Sequence, residues 1–124
     1  MLIQTYLTAK PYHKHTTPVV CKIDTGAEVN VISKRDYELI IPNPKQRKLN
    51  SPSVKITAYG GYEIKNIGTC QLFMHHRGDI KPIVFNVTDV EGPAMLGCET
   101  SRDLGLVQFN CNIMQVQQNL LTSS

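Results

Sequence analysis

The alternation of apolar and polar residues along this chain predicts a series of short β-strands. An apolar run over residues 18–23 ends abruptly in Asp24, Thr25 and Gly26, and a second apolar stretch begins at Val29. That order predicts a strand that delivers a carboxylate to a tight loop, and then a strand that leads away. A glycine lets the backbone turn where a side chain would block it, and a threonine hydroxyl can hydrogen-bond within the loop. An ordinary hairpin turn would produce the same local pattern, so these three residues alone do not identify a function.

The segments on either side of this loop carry signals of their own. Residues 2–8 are rich in strand formers, and residues 10–17 have the composition of a loop. Ser33 is a suitable helix N-cap, with Asp36 three residues later in a weak capping-box arrangement. Pro42 then predicts the end of that helix, because proline removes a backbone donor and clashes with the preceding turn. A polar, proline-spaced connection follows.

The second half of the chain predicts hairpins. Residues 54–58 alternate between apolar and polar positions, and residues 59–62 contain the two glycines of a turn. Gly68 predicts a β-bulge in the returning strand. Residues 77–79 predict another turn, which leads into the alternating strand 80–87.

A short apolar strand over residues 94–96 precedes a predicted helix over 98–104, which Gly105 is placed to end. Residues 106–109 predict a last strand. The total is seven to nine short strands and two small helices without a strand–helix–strand rhythm. The pattern therefore predicts an all-β, small closed barrel-like domain.

Length and charge narrow the choice of function. The chain has 124 residues, which suits one domain, and its formal net charge of +3 is mild. The basic residues cluster only at 45–48, without interleaved aromatic residues, so nucleic-acid binding is not expected. No apolar run is long enough to span a membrane, and no signal-peptide core is present at the N-terminus. The four cysteines lie far apart and the histidines complete no zinc spacing, so we expect reduced thiols, no metal and no cofactor in an intracellular protein.

Three motifs follow one another in an order and at a spacing that resemble the retropepsins, the aspartic proteases of retroviruses and long-terminal-repeat retrotransposons. They are residues 24–27 (Asp-Thr-Gly-Ala) between two strands, the glycine-tipped hairpin, and residues 95–97 (Met-Leu-Gly) before a helix. Residues 58–61 (Ala-Tyr-Gly-Gly), residues 67–68 and the acidic loop before residue 95 look most like the gypsy-type branch. The resemblance covers residues 1–111, and residues 112–124 would be a polar tail or the start of the next polyprotein segment.

The resemblance implies a role for each matching position. Asp24 would be the catalytic aspartate, Thr25 would lock two such loops together across a dimer, and Gly26 would give the substrate close access to the backbone. The residues that would line the cleft, close over the substrate as a flap tip or pack behind the catalytic loop are Ala27, Glu28, Ala58, Tyr59, Gly60, Gly61 and Leu96.

Two departures from the family pattern affect this interpretation. Cys98 stands where relatives often carry an arginine or aspartate, so the usual arginine–acid support cannot form there, and the sequence leaves open whether Arg102 or Asp103 substitutes for it. Bulky Tyr59 and Tyr62 in the flap leave the subsite preferences open.

The reaction of an aspartic protease implies that a second copy of this chain is needed. Peptide hydrolysis by such an enzyme uses two carboxylates that share one proton: one activates water, and the other donates a proton to the carbonyl oxygen. The chain contains one Asp-Thr-Gly, so the active enzyme would be a C2 homodimer. The resemblance implies that the terminal strands of the two subunits, here residues 2–6 and 106–109, interleave. The expected substrate is an extended polypeptide, its own Gag-Pol-type polyprotein, cut in the cytoplasm or within virus-like particles. The alternatives are a host-captured domain, an inactive dimerisation or peptide-binding module, and a nucleic-acid-binding barrel.

Overall fold

A computed structural model describes residues 1–57 and 60–108 of the chain, and the following elements refer to those residues. Eight strands and two α-helices are present there, together with one short 3-10 helix at Pro44–Gln46. In chain order they are β1 (Leu2–Thr8), β2 (Thr17–Ile23), β3 (Asn30–Ser33), α1 (Lys34–Ile40), β4 (Ile56–Thr57), β5 (Glu63–Ile64), β6 (Asn66–His76), β7 (Asp79–Thr88), β8 (Ala94–Leu96) and α2 (Cys98–Asp103).

Six of the strands close into a barrel in the order β1-β2-β8-β3-β7-β6, and β4 and β5 form a separate two-stranded sheet. The pairs β2–β8 and β3–β7 are parallel, whereas the other barrel pairs are antiparallel. Strand β8 lies between β2 and β3, which directly flank the Asp24 loop in sequence. This closed, mostly-β architecture with two short helices confirms the fold class predicted from the sequence.

Inward-facing side chains from the barrel strands fill the core. Alternate residues of β6 are buried from Gly68 to Met74, as the period of two in its sequence predicts, whereas β7 ends in four consecutive buried residues, Phe85–Thr88. The turn at Arg77 and Gly78, both with positive φ, joins the two strands as the right-handed twist of a hairpin requires. The side chains with no exposed surface include Leu7, Ile32, Leu72, Phe85, Val87 and Leu96.

Helix α1 forms where the sequence predicts it. The Ser33 hydroxyl accepts a hydrogen bond from the Asp36 backbone N–H at 3.1 Å, which satisfies one donor of the first turn. The helix buries Tyr37 and Ile40 against the barrel and ends before Pro42.

Three expectations are corrected. Of the strand predicted over residues 54–58, Ile56–Thr57 form a strand and residues 54–55 do not, while Ala58 lies outside the described residues. Leu106 and Val107 are not in a strand, because the chain bends there after α2, and Phe109 lies outside the described residues. The connection after α1 contains the 3-10 helix, which begins at a proline that suits the first position of a helix.

The cysteines fall into two kinds. Cys21 and Cys70 are buried thiols outside any disulfide, and burial raises the pKa of Cys21 to about 11 and that of Cys70 to about 12. Both thiols are therefore protonated, and poor nucleophiles, at neutral pH. Cys98 is disulfide-bonded, so the expectation of four reduced thiols is wrong for this residue.

No helix among the described residues combines the length and the apolar character that crossing a membrane requires.

Gly68 sits at the irregularity between β6 and β7, where the register shifts as predicted. Its φ is +154°, and an added Cβ would lie 2.5 Å from the Asn50 backbone oxygen. We expect Gly68→Ala to lower the free energy of unfolding by about 3 kcal/mol, since the clash is with backbone that cannot move aside. Urea unfolding at fixed protein concentration measures this change.

Gly78→Ala is the matched control. Gly78 also has positive φ, but nothing lies within 4 Å of an added Cβ. This variant should lose only about 1 kcal/mol, from backbone strain alone. Equal losses in the two variants would contradict the steric account of Gly68.

Candidate active site

The loop that carries Asp24 is held by the strand beside it. The Asp24 backbone N–H donates to the Leu96 carbonyl of β8 at 3.0 Å, which extends the parallel β2–β8 pairing by one residue. The Ala27 N–H donates to the Asp24 carbonyl at 3.1 Å and closes a turn. Asp24 therefore stands where a barrel strand ends, on a loop whose backbone is fixed at both sides.

The loop also orients the carboxylate itself. The Gly26 backbone N–H donates to Asp24 Oδ1 at 3.0 Å. The Asp24 side chain is half-buried, so one oxygen is held by the loop while the carboxylate remains within reach of a substrate or of water. A carboxylate fixed in this way can act as a general acid or base on a group that binds next to it.

A second set of contacts ties the loop to the start of α2. The Cys98 N–H donates to the Ala27 carbonyl at 3.0 Å, and the Gly97 N–H donates to Asn30 Oδ1 at 2.8 Å. At Gly97 an added Cβ would lie 2.9 Å from the Ala27 carbonyl oxygen and 3.1 Å from that of Val29. The two backbones approach so closely that only glycine fits at this position.

Asn30 is a residue of this site that the sequence-based prediction missed. Its amide Nδ2 donates to the Val84 carbonyl at 3.0 Å and to Thr100 Oγ1 at 2.8 Å, while its Oδ1 accepts from Gly97. Asn30 thus joins the Asp24 loop, β7 and α2. The one signal for it in the sequence was a polar residue at a position where the strand pattern calls for a buried apolar one.

Thr25 behaves differently from its neighbours. Its side chain is partly exposed, and its hydroxyl makes no hydrogen bond with any residue in the described part of the chain. The predicted hydrogen bond within the loop is therefore not present, and the hydroxyl is free to bind a group from outside the subunit.

The acidic and basic residues near the loop do not form the expected support. Glu28 is exposed, and Arg102 pairs with its neighbour Asp103 at 3.4 Å on the surface of α2. Among the residues described, neither replaces the arginine–acid pair that Cys98 precludes. The hydrogen bonds of Asn30 and of the Gly97–Cys98 backbone hold the loop instead.

The glycine-tipped hairpin is present, in shortened form. Ile56 pairs with Ile64 and Thr57 with Glu63. Gly60 and Gly61, with φ of +97° and +89°, lie beyond β4, in conformations that suit glycine. Ala58 and Tyr59 lie outside the described residues, so their proposed contact with a substrate stays a prediction.

Only some of the predicted site residues lie next to Asp24 in the structure. Those that are joined to Asp24 by direct hydrogen bonds are Gly26, Ala27 and Leu96. Gly60 and Gly61 lie in the connection of the separate two-stranded sheet, and Glu28 is exposed to solvent. Within residues 1–57 and 60–108, no three histidine, cysteine or acidic side chains come together as metal ligands.

Comparisons with known proteins agree with this geometry. No protein-family model matches the chain, and no curated protein matches it. The structure is similar to that of EIAV protease solved with the inhibitor HBY-793, at a TM-score of 0.67 and 19% identity over 89% of this chain and 92% of that one. It is also similar to the retroviral protease-like domain of Ddi1 from Leishmania major, at a TM-score of 0.56 and 17% identity over 83% of this chain and 77% of that one.

At these identities the likeness shows the fold alone. The chain has the retroviral protease-like fold, in agreement with the prediction from its three ordered motifs.

The close approach at Gly97 gives a direct test of how the loop is held. We expect Gly97→Ala to lower the free energy of unfolding by about 1–3 kcal/mol, because its Cβ must push the Ala27 and Val29 carbonyls away. The same displacement should shift the amide NMR resonances of residues 24–30.

Gly92→Ala is the control: nothing lies within 4 Å of an added Cβ there, so its cost is the backbone strain of a φ of +140°, about 1 kcal/mol, without a steric clash. It should leave the resonances of residues 24–30 in place. A Gly97→Ala protein with wild-type resonances across this loop would contradict the packing described above.

Proposed function

We propose that this protein is an aspartic endopeptidase that acts as a homodimer, with one Asp24 from each subunit. The observation that carries the proposal is the Asp24 carboxylate, oriented by Gly26 at the end of a barrel strand in a retroviral protease-like fold. The fold favours this class of site, and the oriented carboxylate is the group that the reaction needs.

The reaction requires two carboxylates. One removes a proton from a water molecule as that water attacks the peptide carbonyl, and the other, protonated, donates to the carbonyl oxygen. Two like charges a few ångströms apart cannot both ionise easily, so the pair shares one proton and activity should favour mildly acidic pH. A single chain supplies only half of this arrangement, because Asp-Thr-Gly occurs once in its sequence.

Two features of the single chain support pairing. The Thr25 hydroxyl has no partner in the described part of its own subunit, which suits a hydrogen bond to the second loop. In β1, pairing with β6 begins at Tyr6, so among the described residues no strand covers the second edge of the segment from Leu2 to Thr5, and Leu2 is 60% exposed. An uncovered apolar strand edge favours pairing with another chain.

The substrate that fits this architecture is an extended polypeptide bound between the Asp24 loops and the glycine-tipped hairpins. Main-chain hydrogen bonds would hold such a peptide as an added strand, with side-chain pockets giving specificity. We propose processing of its own Gag-Pol-type polyprotein, within a gypsy-type retrotransposon, as the biological role.

A second candidate role is favoured by one of the structural similarities. The Leishmania major Ddi1 domain is described as retroviral protease-like, and it resembles this chain at a TM-score of 0.56. The same fold in a cellular protein would act on a different substrate or serve as a dimerisation or peptide-binding module. Peptide cleavage that depends on Asp24 would distinguish an enzyme from a dimerisation or peptide-binding module.

Replacing Asp24 tests the catalytic proposal. Asp24→Asn keeps the size of the side chain but removes its ionisable carboxyl, so we expect peptide cleavage to fall by about 10²–10⁴-fold or more, the contribution of general acid–base catalysis. Cleavage of a mixed peptide library at about pH 5, where such a pair shares one proton, measures the loss, with pepstatin added to the wild type in a parallel assay.

Asp103→Asn makes the same chemical change at a solvent-exposed aspartate of α2 and should leave cleavage unchanged. If the wild type is dimeric and yet cleaves no more peptide than Asp24→Asn does, the protein is an inactive dimerisation or peptide-binding module.

Mixing subunits tests the shared site. Random pairing of wild type with an equal amount of Asp24→Asn converts half of the wild-type subunits into mixed dimers with one carboxyl, so activity should fall to about half. The mixture is incubated until the subunits have exchanged and is then assayed at constant wild-type concentration.

Adding Asp103→Asn in place of Asp24→Asn should raise the activity rather than lower it, because every mixed dimer remains intact. Cleavage at full rate by a species that elutes as a monomer would contradict the dimeric site.

A further inference from the structure

Three asparagines are linked in series by hydrogen bonds along the neighbouring strands β6, β7 and β3. Asn66 Nδ2 donates to Asn86 Oδ1 at 3.0 Å, and Asn86 Nδ2 donates to the backbone carbonyl of Asn30 at 3.1 Å. Asn30 Oδ1 in turn accepts the Gly97 N–H at 2.8 Å. We refer to Asn66, Asn86 and Asn30 as the asparagine relay.

The relay is buried at its centre. Asn86 is 5% exposed and Asn30 is 9% exposed. Asn30 shares its strand face with buried Ile32, whereas Asn86 lies on the face of β7 opposite to Ile83, Phe85 and Val87. A buried amide costs free energy unless its donors and acceptors are paired, and here each of the two amides has a partner on its nitrogen and on its oxygen. A plain apolar core would need none of these bonds, so the relay holds specific segments together.

One end of the relay lies at the base of the glycine-tipped hairpin. Asn66 is two residues beyond the end of β5, and its Nδ2 also donates to the Val54 carbonyl, just before β4, at 3.0 Å. Its Oδ1 accepts the Gly68 N–H at 3.1 Å in the bulge. Asn66 therefore clamps both strands of the hairpin to the point where they leave the barrel.

The other end lies at the Asp24 loop. Gly97, which donates to Asn30, follows Leu96, whose carbonyl accepts the Asp24 N–H. Asn30 itself ends the segment that begins at Asp24, so both sides of the loop are fixed through this one side chain.

We propose that the asparagine relay sets the position of the hairpin relative to the Asp24 loop, so that Asn66, Asn86 and Asn30 are positioning residues for peptide cleavage. The effect on peptide cleavage rests on the proposed function. The coupling between the hairpin and the Asp24 loop does not, and it can be measured without activity. The relay uses residues on β3, β6 and β7 that carry no part of the Asp-Thr-Gly loop or of the glycine turn.

Asn66→Asp is the selective variant. It removes the Nδ2 donor, and with it the bonds to Asn86 and Val54, but keeps an oxygen for the Gly68 N–H. Loss of one or two such bonds should raise KM about threefold to tenfold and change kcat less, since the hairpin and not the Asp24 loop loses its anchor.

Asn86→Leu, which has nearly the same shape without the amide, breaks the relay at its centre. It should lower kcat as well as raise KM, because the Asn30 carbonyl loses its donor. If both residues act through the same series of hydrogen bonds, Asn66→Asp should lower kcat/KM less in the Asn86→Leu protein than in the wild type. Additive effects of the two substitutions on the free energy of activation would contradict the proposal.

Asn43→Ala is the matched control for loss of an asparagine. Asn43 caps the short 3-10 helix through the Lys45 N–H, on the exposed connection outside the relay. It should lower stability slightly and leave KM and kcat unchanged. If KM changed by the same amount in Asn43→Ala and Asn66→Asp, the change would come from the lower stability of the protein and not from the asparagine relay, which would contradict the proposal.

Amide hydrogen exchange separates the relay from the proposed function. In Asn66→Asp, protection of the Gly97 amide should fall about tenfold, although residue 66 does not touch it, and Asn43→Ala should leave it unchanged. Unchanged Gly97 protection in both Asn66→Asp and Asn86→Leu overturns the relay, even if the wild type cleaves peptides. A wild type that cleaves no peptide overturns the proposed function, while altered protection in Asn66→Asp would still establish the coupling.

Discussion

The site depends on one close backbone contact, between the Asp24 loop and the turn into α2. Gly97 packs against the Ala27 and Val29 carbonyls at distances that no Cβ could share, and the Cys98 N–H donates to the Ala27 carbonyl across the same contact. Because the two backbones touch directly, the loop cannot move without displacing the helix. The position of the Asp24 loop is therefore set by the packed barrel, and within the loop the Gly26 N–H orients the carboxylate.

Barrel topology is what makes this contact possible. Residues 24 and 96 are far apart in sequence, and they meet because β8 inserts between β2 and β3. The insertion pairs Ile23 with Leu96 in parallel and Val31 with Met95 in antiparallel orientation, so β8 holds both strands that flank the loop. A simple hairpin at residues 24–26, which the local sequence equally allows, would leave the carboxylate on a turn without this support.

Local signals in the sequence predicted much of the fold. The helix cap at Ser33, the bulge at Gly68 and the alternation in β6 depend on neighbouring residues, so each could be predicted without knowledge of the tertiary structure. The prediction of a strand was wrong at residues 106–107, because these apolar residues satisfy a strand pattern while the chain bends there after α2. Asn30 was missed because its role depends on Thr100 and Gly97, about seventy residues away, and no local pattern carries that information.

The described part of the chain forms a closed barrel with a filled core, and its Asp24 loop is fixed on both sides. Three groups have no partner among the described residues: the Thr25 hydroxyl, the second strand edge of Leu2–Thr5 and the Asp24 carboxylate oxygen that Gly26 does not hold. An oriented carboxylate without a counterpart can bind a proton but cannot divide the roles of acid and base. Under the proposed function, a second copy of the chain would supply the missing carboxylate, and the hydrogen bonds of Gly97 and Asn30 would hold each Asp24 loop in position for it.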